Sequence, residues 1–292
     1  MNHFGRKMVI LQTKLKVRHQ KMTNRRKFLF VILGLALMIG ATFGAYHLYR
    51  HLTRKPRVVM LTIPTVRTTA DLAGRLATVL DADSAALMEV MTDSVFIDSL
   101  GYDSQTLPAM FVANSYEVFQ WISPKALMLR LKDECDAFWT TERLLKAENQ
   151  DLTPVEVMTL ASIIEQETAC DEERARIAGM YLNRLRKNMP LQADPTVKFA
   201  VGDFALRRIL HEHLEYDSPY NTYLYEGLPP GPICIPSLAS IKAVLNPEEH
   251  NYIYMCAKED FSGTHNFATD YNEHLRNAHR YAKALDEAGI EK

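Results

Sequence analysis

The sequence predicts an α+β protein: a single amino-terminal transmembrane helix, a small α/β subdomain, and a larger mixed α+β domain. Three observations carry this. A 22-residue uncharged stretch, Phe28 to Tyr49, follows a basic tail. A β-branched run ending at a proline, Val58 to Pro64, precedes two short helical patterns. From residue 151 onward, helical periodicity alternates with stiff, proline-marked loops.

Residues 1–27 hold nine Lys or Arg and no acid, and no acid precedes Asp71. From position 58 onward, 21 basic residues face 35 acidic ones, so the overall charge of −1 hides a split. This excludes a uniformly basic nucleic-acid binder, and no nucleic-acid partner is expected. The 22-residue stretch rises roughly 33 Å as a helix, enough for a bilayer core of about 30 Å. The basic tail predicts a cytoplasmic amino terminus and residues 58–292 on the outer side of the plasma membrane. A cleaved signal peptide and a twin-arginine signal (Arg25-Arg26) compete. Both also carry the bulk of the chain across. Cys135, Cys170, Cys234 and Cys256 have no CxxC spacing, and nothing specifies a disulfide.

Residues 58–105 predict a strand at Val58–Ile63 and helices near Ala70–Leu80 and Ser84–Thr92, the first capped by Thr69 or Asp71. Residues 106–150 form a bridging segment. It carries an extended stretch at Met110–Val118 and a helix at Pro124–Thr141 with apolar residues at 127, 131, 135 and 138. The catalytic domain is expected at 151–292. Thr153-Pro154-x-Glu156 is a capping box with proline at the first helical position. On the helix it opens, Glu165 borders a buried face, with Met158, Ala161, Ser162 and Ala169 as ridge neighbours. Desolvation there would raise its pKa, as a general acid requires. Glu167 lies about 200° around the axis, so the helix supplies no converging carboxylate pair. A second helix spans Asp171 to Asn188. Loops at Leu191–Val197 (turn at Asp194-Pro195), Asp217–Tyr223 and Gly227–Ile233 carry tyrosines, amides and hydroxyls suited to sugars. His274 and His279 are five apart, the wrong interval for a helical metal pair. Walker A, GxGxxG and GxSxG are lacking. Neither a metal nor a cofactor is expected.

Five segments in order (Leu160–Thr168, Ile177–Leu185, Leu191–Val197, Ser218–Tyr223 and Gly227–Ile233) resemble the signatures of the MltG (YceG-like) family of endolytic murein transglycosylases. The resemblance covers roughly residues 58–280. It implies a single membrane anchor at 28–49, a LysM-like subdomain at 58–105, and action on peptidoglycan glycan strands beside peptidoglycan synthases. It also implies cleavage of the β-1,4 bond between N-acetylmuramic acid and N-acetylglucosamine, leaving 1,6-anhydro ends that terminate nascent strands. Glu165 matches the catalytic glutamate in this alignment of motifs, and Glu167 a supporting acid. Ser162, Asn183, Gln192, Asp194, Thr196, Tyr220, Asn221, Thr222 and Tyr223 fall on positions implied to line or brace the glycan cleft. His265 and His274 fall in a segment resembling the family's Gly-x-His-x-Phe and Glu-His pattern. The chain departs from the family at Leu107-Pro108-Ala109, Ala113–Tyr116 and Ile63–Val66. The alternatives are a muramidase using water and a non-catalytic wall-binding scaffold.

Overall fold

The computed structural model describes residues 32–47, 49, 57–206 and 209–289. The chain falls into two units, Met1–Pro56 and Arg57–Lys292. In the first, residues 32–47 form a helix (α1) with exposed side chains throughout. No helix among the described residues is long and apolar enough to cross a membrane. The expected tail, 1–27, lies outside the described residues, and the expected span, 28–49, lies partly outside them.

The second unit is an α+β body with two hydrophobic clusters. Its first part runs β1 (Val58–Thr62), α2 (Thr69–Ala77), α3 (Ser84–Thr92), α4 (Ser94–Ser99), β2 (Ser115–Phe119) and α5 (Pro124–Phe138). β1 and β2 pair antiparallel, Val58 opposite Phe119 and Thr62 opposite Ser115. The extended stretch expected in the bridging segment is therefore the second strand of the small sheet. Leu61, Leu72, Leu76, Leu87, Val118 and Leu127 meet in one core. Each such buried side chain contributes about 1.5–3 kcal/mol. The cap of α2 is Thr68, not Thr69 or Asp71: its hydroxyl accepts from the Asp71 amide at 3.0 Å. Thr69 is already the first helical residue.

The second part adds α6 (Thr141–Glu148), α7 (Pro154–Glu167), α8 (Asp171–Arg186), α9 (Asp194–Val201), α10 (His211–Leu214), α11 (Leu238–Leu245), β3 (Tyr254–Ala257), β4 (His265–Ala268) and α12 (Tyr271–Glu287). The capping box of α7 forms as expected: Thr153 accepts from the Glu156 amide, and the Glu156 carboxylate accepts from the Thr153 amide at 2.8 Å. Val157, Leu160, Ala161 and Ile164 of α7 pack with Ile177 and Tyr181 of α8 and Ile241 and Val244 of α11. Asp194-Pro195 is not a loop turn but the first turn of α9, where proline's missing N–H costs nothing. All four cysteines are free thiols.

A strap, residues 231–237, joins the two clusters. The Ile233 amide donates to the Ser162 hydroxyl at 2.9 Å. The Ile235 amide donates to the Val66 carbonyl at 2.8 Å. Ile235 itself is buried in the small-sheet core. Gly231 touches the chain at Gln105, where an added Cβ would fall 2.1 Å from the Gln105 carbonyl oxygen. Backbone cannot yield as a flexible side chain can. Gly231→Ala should therefore destabilise the protein by ~1–3 kcal/mol, read as a lower midpoint in thermal or urea unfolding; an unchanged midpoint would remove the strap from the fold's supports.

Candidate active site

The two carboxylates near the end of α7 have different surroundings. Glu165 lies against a polar cradle rather than an apolar one. Its Oε2 accepts from Arg174 Nη1 (3.1 Å), the Ser237 amide (3.2 Å), the Ser237 hydroxyl (2.5 Å) and the Ser240 hydroxyl (2.7 Å). The side chains of Glu165 and Arg174 are only 13% and 8% exposed. Arg174 also donates to Asp171 at 2.8 Å and to the fully buried Ser240 at 2.6 Å. Met158, Ala161 and Ser162 flank Glu165 on its own helix as the sequence implies, whereas Ala169 lies past the end of α7 and is exposed. The cradle is contributed by α8 and by the amino end of α11, where backbone N–H and an anion attract. Glu165 is thus shielded from water, as α7 implies, but among charge-assisted hydrogen bonds rather than against apolar groups, and it does not line the pocket described next.

That pocket, about 480 Å³, is lined by Glu167 together with Tyr181, Arg184, Gln192, Asp194 and Tyr223, with Tyr254, His265, Tyr271 and His274 facing them. The Tyr181 hydroxyl donates to Glu167 Oε1 at 2.5 Å. Burial, reinforced by the charge of Asp194, pushes the Glu167 carboxyl up to about 7 against the opposing Tyr181 bond and Lys198 charge. Tyr223 donates to Asp194 at 2.6 Å. Arg184 donates to the Gln192 side-chain carbonyl at 2.6 Å and to the Leu191 carbonyl at 3.1 Å. Burial and the Arg184 charge hold His274 below the usual imidazole range. Its Nδ1 and the Nε of Arg184 are buried without hydrogen-bond partners among the described residues. Unsatisfied polar atoms in a pocket wall fit a ligand rich in hydroxyls.

The structure thus brings Glu167, Gln192, Asp194 and Tyr223 into one pocket. The other expected cleft residues act behind it. Ser162 is fully buried, donating to the Thr159 carbonyl and accepting from Ile233, so it cannot touch a glycan. Thr196 and Thr222 are buried and share a hydroxyl–hydroxyl bond of 2.8 Å, while Thr222 also accepts from the Ala193 amide. Asn221 is buried and donates to the Leu214 and Tyr216 carbonyls. These three groups fix the chain at Gln192, whose φ of 49° is the left-handed conformation that a non-glycine residue holds only when its surroundings impose it. Asn183 donates to the His250 and Tyr252 carbonyls and so braces a loop rather than a cleft. Tyr220 packs on Phe199, ring centroids 4.7 Å apart. His265 is anchored by Glu173, through its amide at 2.9 Å and its Nδ1 at 3.1 Å.

Tyr181, Arg184, Tyr254 and Tyr271 are absent from the site expected from sequence. Tyr181 recurs at helical spacing with Ile177, Met180 and Leu185 and so reads as part of an apolar stripe of α8, with Arg184 as its flank. The local signal that could have singled them out is the run Tyr181-Leu182-Asn183-Arg184, too polar for a plain core stripe.

Comparison with known proteins gives a consistent picture. A model of the YceG-like family matches residues 38–280. A protein of Bacillus subtilis (strain 168) named endolytic murein transglycosylase is 41% identical over 131 residues, 45% of this chain and 36% of that protein. A protein of the same name from Streptococcus pneumoniae serotype 2 is 36% identical over 134 residues, 44% of this chain and 24% of that protein. The match thus spans about a third or less of those relatives' own length. The crystal structure of a YceG-like protein from Listeria monocytogenes aligns with a TM-score of 0.63 at 29% identity, covering 74% of this chain and 75% of that one. With the family model matching most of its length, the chain belongs to the YceG-like family.

Proposed function

We propose that this chain is an endolytic peptidoglycan lytic transglycosylase with Glu167 as its single acid–base group. The observation that carries this is the pocket around Glu167. There a carboxyl pushed up to about 7 meets Gln192, Asp194 and Tyr223 of the family's motifs, in a wall rich in tyrosines. The names of the B. subtilis and S. pneumoniae relatives support the activity. The motif resemblance alone assigns the catalytic role to Glu165. The geometry favours its neighbour, because all of Glu165's hydrogen bonds fall on one oxygen tied to Arg174, Ser237 and Ser240.

In this mechanism protonated Glu167 donates to the glycosidic oxygen between N-acetylmuramic acid and N-acetylglucosamine as the C1–O bond breaks. Positive charge develops at C1. The carboxylate then takes the proton of the same sugar's C6 hydroxyl, and the C6 oxygen closes on C1 as a 1,6-anhydro ring. Glu167 ends protonated again and no water is consumed. Because the nucleophile is intramolecular, no second carboxylate has to hold a water. The uncharged stretch 28–49 and the basic tail support a single-pass anchor in the plasma membrane with the pocket outside. From there the enzyme would cut, and so terminate, strands being made by neighbouring peptidoglycan synthases. The pairing of β1 with β2 around α2, α3 and the short α4 supports a LysM-like subdomain that contributes to glycan binding.

Glu167→Gln should cut the turnover of purified glycan strands by ~10²–10⁴-fold, with the parent's products carrying anhydro ends lighter by one water than reducing ends. Activity at the parent's level would sink the assignment, and reducing ends would indicate a muramidase instead. Glu165→Gln should act differently: it leaves a buried guanidinium short of its partner, so stability should drop by ~2–4 kcal/mol, and the folded enzyme, assayed well below its melting point, should lose less activity than Glu167→Gln because only the positioning of the acid is loosened. Two pH effects also follow. The rate should fall as pH rises through about 7, because the protonated carboxyl starts the reaction. A carboxyl raised from its ordinary 4.5 makes folding less favourable as pH climbs from there toward about 7, by ~3 kcal/mol at most. Denaturation curves between pH 4 and 8 should show that slope in the parent and lose it in Glu167→Gln.

A further inference from the structure

The small sheet has one face on the core and one open face, and the open face is graded along its length. Leu61, Tyr116 and Val118 point inward and are buried. Outward, the register sets Val58 beside Phe119, Met60 beside Glu117 and Thr62 beside Ser115. The hydroxyls of that last pair bond at 2.8 Å. One end of the face is therefore polar and the other apolar. Trp121 extends the apolar end, its ring stacked on Phe119 with centroids 5.4 Å apart and planes 17° from parallel. Val58, Met60, Phe119 and Trp121 are 54%, 57%, 44% and 49% exposed. Exposed large apolar side chains that adjoin one another mark a surface that meets something.

The occupant is indicated by the chain itself. The apolar end is the one at which β1 begins, nine residues after Tyr49, the last residue of the uncharged stretch. Nine extended steps reach ~30 Å at most, so this end of the sheet is tethered close to whatever holds that stretch. Between them stand Arg50, Arg54, Lys55 and Arg57 and no acid, although the chain from 58 onward is strongly acidic. A basic run in the sequence leading into a sheet end with exposed Trp and Phe matches the chemistry of an anionic lipid surface, where aromatic rings sit at the headgroup level and cations pair with phosphates.

We infer that the open face of the β1–β2 sheet rests on the outer leaflet, with Trp121 and Phe119 in the headgroup–acyl boundary and the exposed Arg57 on anionic headgroups. This rests on the reading of 28–49 as a membrane anchor. It would set the pocket of Glu167 at a fixed height above the bilayer.

The test uses the full chain reconstituted in phosphatidylglycerol-containing vesicles with brominated or plain acyl chains. The protein has two tryptophans, Trp121 and the half-buried Trp139. In W139F, brominated lipid should lower Trp121 emission by about half or more, with weaker quenching when the anionic lipid is replaced by a zwitterionic one. In W121F, the emission of Trp139 should stay unchanged. Should W139F fold poorly, the difference between the parent and W121F reads the same quantity. A chain that resists alkaline extraction from the vesicles but shows no bromine quenching of Trp121 keeps its anchor and overturns the docking. A chain that is extracted overturns both. Trp121 emission that responds to purified glycan strands and not to bromine makes the face a glycan surface and also overturns the inference.

Discussion

One carboxylate oxygen, Oε2 of Glu165, ties three helices. It receives Arg174 from α8 and Ser237 and Ser240 from the start of α11, all at the last turn of α7. Charge-assisted bonds of this kind are about twice as strong as neutral ones, and in a site this dry they are costly to break singly. Their effect is positional. With the end of α7 pinned, Glu167, two residues on, has one direction left to face. That direction is toward Tyr181 and the loops from Leu191 and Asn221. The strap from Gly231 to Ser237 reaches the same junction, so the small sheet, α7 and α11 are held by one continuous run of backbone.

The site is built in two layers that divide the motif residues between them. Gln192, Asp194 and Tyr223 present polar groups to the pocket. Thr196, Asn221, Thr222 and Ser162 spend theirs on backbone and on one another, out of solvent. A buried hydroxyl left unpaired costs more than a paired one contributes. Once such a network is complete, it holds the loop rigidly, down to the left-handed backbone at Gln192. The pocket inherits that rigidity, which the proposed proton transfer would need.

Local rules carried the elements and stopped at the site. The capping box at Thr153 and the helix at Ser84–Thr92 stand where their residues put them, because caps and short-range periodicity are set within one turn. Asp194-Pro195 reads as a turn for the same reason, since proline suits a turn as well as the first turn of a helix, and only the packed structure makes it the latter. The assignment we propose for the acid lay beyond such rules. A helical wheel shows Glu165 beside Met158, Ala161 and Ser162, but its partners come from 9, 72 and 75 residues downstream. Glu167 looked like a spare carboxylate because Tyr181, Asp194 and Tyr223 meet it only through tertiary packing. The order of five motifs identified the family, and their burial decided which residues among them can touch a substrate.

The pairing of β1 with β2 has a consequence for how the protein is made. Val58 waits for Phe119, and the core between them is closed by Ile235, whose amide bonds to Val66. A polypeptide is synthesised from its amino end, so the first strand is extruded long before either partner exists. Contacts at such separation form late and slowly. The small sheet can thus gain its full support only after more than three quarters of the chain has left the ribosome, which makes its apolar strand a natural client for chaperones in the interval.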